Sequence, residues 1–186
     1  MYDGQLRDFP TPEIDPYLVK RAHDTFHLTK LTAEDFKDGR PHAIIGLVPG
    51  EIISEDAGYI DHIDVEYDIL KVAVIERHKN THHIGLGYIK GYGLKSGAVA
   101  TSISHDSHNI IVVGTSEEEM AAAANRIVEN HGGITVMENG TVLGEVTLAI
   151  AGIMSDDPLV MVNSALESAK DEAFRLGVSR DIDPFM

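Results

Sequence analysis

The sequence predicts an α/β (α+β) layered domain, a mixed β-sheet with helices packed against it. Three observations carry this. From about residue 41, short β-branched and aliphatic runs alternate with Gly, Pro and Asn turn signals. A strongly marked helix, "SEEEMAAAANRIVENHGG" (116–133), interrupts those runs. A second helical stretch follows an Asn-Gly hairpin signal towards the end of the chain. No internal repeat is visible.

Residues 1–40 read as a lead-in segment. "DFPTPEIDP" holds three prolines in nine residues and predicts extended, irregular chain. "PYLVKRAHDTFHL" predicts a short helix, and Thr32 in "LTAEDF" is a plausible N-cap. Phe9, Tyr17, Phe26 and Phe36 predict that the segment packs onto something, since four aromatics would otherwise face water.

The strands follow in order. "HAIIGLVPG" (42–50) is a strand ended by Pro49-Gly50, and "DILKVAVIERH" (68–78) a buried strand. "GLGYIKGYGL" (85–94) is glycine-rich, but its spacing matches neither phosphate-loop pattern, so its glycines predict bends and close backbone approach. "GAVATSIS" (97–104) and "NIIVVGT" (109–115) are two further strands. In the helix after them, Ser116 and Glu119 predict a reciprocal capping box, and Gly132-Gly133 the stop. Met120, Ala123, Ala124, Ile127 and Val128 mark its apolar face. "ITVMENGTVLGEV" is a hairpin turning at Asn139-Gly140, and "TLAIAG" is expected to continue in strand. Pro158 is expected at the first position of the last helix, with Gly177 closing it.

Composition narrows the function. With no cysteine, disulfides, thiol nucleophiles and cysteine-held zinc are excluded. A formal charge of −15 repels phosphate backbones and argues against nucleic acid as a partner. "SEDAGYIDHIDVEYD" (54–68) holds six acids and no Lys or Arg, without calcium-loop spacing, and reads as a solvated loop or hairpin edge. No apolar run is long enough to span a bilayer, and the acidic, proline-containing first ten residues do not form a signal peptide. The expectation is a cytoplasmic protein without a membrane partner.

The densest chemistry lies in "SHDSHN" (104–109). In a continuous strand His105 and His108 would face opposite sides, so they converge only if 105–108 turns. Asp106 and Ser107 are good turn formers. Three readings follow from the residues: a polar turn, a metal site of His105, His108 and Asp106, or a proton- and hydrogen-bond-exchanging wall of a substrate pocket. A Ser-His-Asp triad is not indicated for residues so close in sequence. "ERHKNTHHIG" (76–85) reads as an exposed loop or as a pocket rim in which Arg77 holds an anion or carboxylate.

The stretch "GLGYIKGYGLKSGAVATSISHDSHNIIVVGTSEEEMAAAANRIVENHGG", together with "IERH" (75–78), "IAGIMSDDP" (150–158) and the final "DPFM", resembles the C-terminal domain of the adenine deaminases of the amidohydrolase superfamily. The resemblance covers about residues 41–186. It implies metal-dependent hydrolysis of adenine to hypoxanthine and ammonia, with manganese or iron held by an upstream (β/α)₈ barrel that opens on an H-x-H strand. This chain has no H-x-H and no room for such a barrel. The implied chain is therefore one part of such an enzyme, inactive alone, truncated after "DPFM" and holding no metal of its own. Its partner would be adenine when joined to the barrel, and a homo-oligomer is compatible with it. The implied roles are a substrate-facing loop of His105, Asp106 and His108. Ser104, Ser107 and Asn109, with Arg77 and His78 on the same rim, would supply binding contacts. The competing class is a non-catalytic structural, oligomerisation or small-ligand-binding domain.

Overall fold

The computed structural model describes residues 12–51 and 53–185. Phe9 lies outside them. The elements are α1 (Pro16–His23), a 3-10 turn (Ala33–Phe36), β1 (His42–Leu47), β2 (Ser54–Ile60), β3 (Ile69–Ile75), β4 (Ile84–Lys90), β5 (Ala98–Thr101), β6 (Ile110–Gly114), α2 (Glu117–Glu129), β7 (Gly133–Glu138), β8 (Thr141–Thr147) and α3 (Leu159–Arg175). All eight strands join one open sheet in the order β2-β1-β4-β3-β6-β5-β7-β8. The β1–β4 pair is parallel and the other pairs are antiparallel, so the sheet is mixed.

The period-2 alternation of the strands sorts their side chains into two cores. Ala98 and Ala100 of β5 turn to one face, with Ala73, Ile75, Ile110 and Val112. The α2 residues Met120, Ala123, Ala124 and Ile127 cover that face, and Leu31 and Phe36 from the lead-in join the same core. Val99 points the other way, with Leu70, Val113, Ile134, Val136 and Val146, and α3 covers them through Ala169 and Ala173. Each buried aliphatic side chain stabilises the fold by roughly 1.5–3 kcal/mol. The α3 helix lies close against β8, because a Cβ on Gly144 would come within 2.7 Å of Ala169 Cα.

Several local expectations change in the structure. "TLAIAG" leaves the sheet after Thr147 and becomes a turn that meets Met154 through single bridges. The left-handed Ala151 (φ 57°) and Gly152 (φ 76°) bend the chain out of strand geometry there. The capping box on α2 is half made. Ser116 Oγ accepts from the Glu119 amide at 3.2 Å, but the Glu119 carboxylate reaches away to the Asn139 amide at 2.6 Å. Pro158 sits at the N-cap of α3 with Leu159 as the first helical residue. Tyr17 is exposed, while Phe36 is fully buried and Phe26 half-packed. The acidic stretch does lie at a hairpin edge, with 54–60 forming the edge strand β2 against β1 and 61–68 turning in solvent-facing loop. Among the described residues no helix is long and apolar enough to cross a membrane.

Candidate functional site

Strand register decides which loops meet. Ile75 pairs with both Ile84 and Ile110, Thr101 with Ile111 and Ile134, and Gly133 with Thr147. Residues 76–83, 102–109, 130–132 and 148–154 therefore gather at one end of the sheet.

The 102–109 connection is a tight polar turn over 105–107. The His108 amide donates to the Ser104 carbonyl at 2.7 Å, and the Ser107 amide to the His105 carbonyl at 2.9 Å. The Ser104 and Ser107 hydroxyls bond each other at 3.0 Å. Asp106 (φ 69°) and His108 (φ 49°) are left-handed, a conformation that non-glycine residues adopt at a cost. The turn projects His105 and Asp106 into solvent, 95% and 88% exposed, with Nδ1 and Oδ1 3.2 Å apart. So open an ion pair contributes little stability, and the two groups remain available to a ligand. His108 Nδ1 and Asn109 Oδ1 are buried without any hydrogen-bond partner.

Ser104 is buried and Ser107 is spent on the turn, so these two serines build the loop's frame. Arg77, expected on the rim, lies beneath the loop at 1% exposure. Its Nε donates to the His108 carbonyl, Nη1 to the Thr25 carbonyl (3.0 Å) and hydroxyl (3.1 Å), and Nη2 to the Ala151 carbonyl (2.9 Å). Its guanidinium stacks on Phe26, 4.2 Å from the ring centroid. Among the described residues no carboxylate pairs with it, and burial lowers its pKa. A guanidinium stays charged even so, and here peptide dipoles replace the counter-ion. Gly152 leaves the space it needs, since a Cβ there would lie 2.8 Å from Nη2.

His78 does stand at the surface, with Nε2 3.1 Å from the Ser107 carbonyl. It borders a shallow open depression of about 440 Å³, also lined by Tyr17, Arg21, Asp24, Thr25 and His27. Exposed apolar side chains sit on the elements around this end. They are Ile14, Tyr17, Leu18 and Val19 at α1, Ile103 and Met154 in the turns, and Leu159, Val160 and Met161 at the start of α3. The α1 helix is tied to the same end by the Ala151 amide, which donates to the Ala22 carbonyl at 2.6 Å.

Sequence reasoning missed two organisers of this end. Ser102 is fully buried, donating to the Gly152 carbonyl at 2.5 Å and accepting from the Gly133 amide at 2.8 Å. Glu76 gathers the amides of 78, 79 and 81. No local pattern marks Ser102. The acid of "IERH" was a signal in plain view. Among the described residues no group of three His, Asp or Glu side chains is placed to hold a metal ion.

Comparison with known proteins gives the context of this geometry. The family model of the adenine deaminase C-terminal domain matches residues 51–186. The chain belongs to that family. It is 47% identical over 151 residues (77% of this chain, 26% of the relative) to adenine deaminase 1 of Rhizobium johnstonii. It is 50% identical over 123 residues (66% and 21%) to the adenine deaminase of Bacillus subtilis. With the adenine deaminase of Brucella anthropi it shares 43% over 169 residues (85% and 30%). The chain thus spans between 21% and 30% of the length of these relatives.

The stretches that carry the adenine deaminase resemblance divide between the two ends of the sheet. "IERH", "SHDSHN" and the start of "IAGIMSDDP" meet at the end just described. "GYGLKSG" and "DIDPF" meet at the opposite end. There Asp68 accepts from the Gly91 and Gly93 amides (3.0 and 2.7 Å), and the buried Tyr92 hydroxyl donates to the Pro184 carbonyl at 2.7 Å. In the second cluster Asp68 and Tyr92 are satisfied within the fold while Lys95 and Asp181 face solvent, and in the first His105 and Asp106 face solvent.

Proposed function

We propose that this chain acts as the C-terminal domain of an adenine deaminase, in which adenine and water give hypoxanthine and ammonia. In this reading the 104–109 loop covers the active site of a barrel that the chain does not itself contain. The observation that carries it is the convergence of three family stretches at one sheet end, where His105 and Asp106 project from a turn held by its own serines and amides, and His108 Nδ1 and Asn109 Oδ1 are left without a partner. The exposed apolar residues of α1, of the turns and of the α3 start support a surface that docks against further protein there.

Residue by residue, His105, Asp106 and His108 supply hydrogen bonds to a purine, with Asn109 and His78 beside them. Imidazole both donates and accepts near neutral pH, which suits a heterocycle carrying ring nitrogens and an exocyclic amine. Closing such a loop over the base excludes water and orients it for attack. The resemblance also implies manganese or iron. In this reading that metal and the chemical step belong to the (β/α)₈ barrel that the resemblance implies. Cytoplasmic location and purine salvage belong to the same proposal.

The test is release of ammonia from adenine by the purified chain with Mn²⁺ or Fe²⁺ present. None is expected. Turnover above the metal-only control overturns the assignment of the chemistry to another segment. The apolar surface also suits a second reading, a purely structural or oligomerisation module, which the loop variants in the Discussion separate from the first.

A further inference from the structure

We propose that Arg77 is a positioning residue that locks the 104–109 loop to the lead-in segment 24–27, so that the loop holds its shape only while that segment is docked. Two side chains from outside the loop donate into it among the described residues, Arg77 to the His108 carbonyl and His78 to the Ser107 carbonyl. Both also hold residues 25–27, whose neighbours Ala22, Thr29 and Leu31 are held by Ala151, Asn80 and Asn125. Arg77 donates to the Thr25 carbonyl and hydroxyl, and its own carbonyl accepts from the His27 amide at 2.7 Å. The His78 carbonyl lies 3.0 Å from His27 Nδ1. "RH" therefore stands between two segments, bonding each of them on one side.

The loop needs such support. Its two left-handed residues, Asp106 and His108, store conformational cost, and its most exposed side chains bury nothing to offset it. A planar guanidinium with donors fixed in a fork reaches three carbonyls on three segments at once, those of Thr25, His108 and Ala151. A lysine ammonium is a single point and cannot span them. Every acceptor is a neutral oxygen, so no counter-ion would hold the guanidinium in place if 24–27 undocked. The buried cation would then lack both hydrogen bonds to Thr25, and its bonds to His108 and Ala151 would have to rearrange. Loop and lead-in are thereby one cooperative unit, although 80 residues of sequence separate Thr25 from His105.

This deepens the substrate-facing reading and rests on it only for the consequence in catalysis. Amide hydrogen exchange and ¹H–¹⁵N spectra of the 186-residue chain, in wild-type and Arg77→Lys forms, test the coupling directly. Amides of 105–109 and of 25–27 are expected to shift together and to exchange at least about tenfold faster. Those of Val99 and Val112 in the sheet should stay protected. A folded Arg77→Lys chain whose loop amides are unmoved, or whose loop loosens while 25–27 does not, overturns the proposal.

If Arg77→Lys does not fold, Gly152→Ala decides instead, because it keeps the charge and presses a methyl against Nη2. The same paired loosening is expected, and its absence is equally fatal. In a full-length relative, Arg77→Lys at the matching position should lower kcat with KM nearly held. Paired loosening in this chain with both constants unchanged there keeps the positioning role and removes the substrate-facing one.

Discussion

Glu76 holds Thr81 from two directions: one carboxylate oxygen accepts from the Thr81 hydroxyl at 2.8 Å and from its amide at 3.2 Å. The other oxygen accepts from the amides of His78 (2.6 Å) and Lys79 (2.9 Å). Partial burial pushes this carboxyl up, but the hydrogen bonds from Thr81, His78 and Lys79 outweigh it and bring its pKa from 4.5 to about 2. A depressed carboxyl contributes stability that is present above its unfolded pKa and disappears as pH falls through the folded one. Glu76→Gln should therefore be less stable than the wild type at about pH 7, with the gap closing between about pH 5 and pH 2. Urea denaturation across that range measures it. A constant gap at all pH values would mean that the charge is not what organises 76–81.

The reach of Glu119 to Asn139 ties the first turn of α2 to the β7–β8 turn. Glu119→Ala should cost about 1.5 kcal/mol, the low end for a hydrogen bond to a charged group, because this one is exposed. Glu119→Gln should recover part of that loss, because an amide oxygen still accepts. Equal stability of all three forms in chemical denaturation would assign no role to this contact.

Gly144 marks the closest approach of α3 to the sheet. Gly144→Ala should destabilise by about 1–3 kcal/mol through overpacking against Ala169. Ala169→Gly in the same background should not restore the loss, because the nearest atom is the Ala169 Cα at 2.7 Å, which remains, and a helix penalty of roughly 1 kcal/mol is added. Wild-type stability of Gly144→Ala in chemical denaturation would show that α3 moves away from β8 without cost.

The loop histidines separate the enzymatic reading from the structural one. In a full-length adenine deaminase, alanine at the position matching His105 should lower kcat/KM about 10- to 100-fold, the worth of one hydrogen bond to a polarised substrate. Its stability should not change, because the ring is 95% exposed in this domain. Alanine at the His108 position should reduce both, since His108 is half-buried with its Nδ1 out of solvent. Wild-type constants in both variants would leave only a structural or oligomerisation role.

Much of the fold was legible because it rests on short-range physics. Near-continuous apolar runs in 69–75, 98–101 and 110–114 dictate strands buried on both faces, and the structure uses both faces. Ser116 capped the start of α2, whose stop is the left-handed His131 just before the expected glycines, and Asn139-Gly140, both left-handed, made the hairpin turn. "TLAIAG" misled because its composition suits a strand while Ala151 and Gly152 answer to Arg77 and Ser102, which lie far away in sequence. Glu119 misled for a similar reason, as a nearby hairpin amide competed for the carboxylate that local capping would have used.

By itself, then, the sequence determined the layered class, the strands and helices, the acidic surface and the polar loop at 104–109, because each depends on neighbours within a few residues. It also carried the family resemblance. Tertiary structure alone decided that Arg77 lies under that loop rather than on its rim, and that Thr25, His108 and Ala151 share one guanidinium. Strand register brings those carbonyls to one point, and an arginine buried among peptide oxygens leaves no periodic trace in the chain that encodes it.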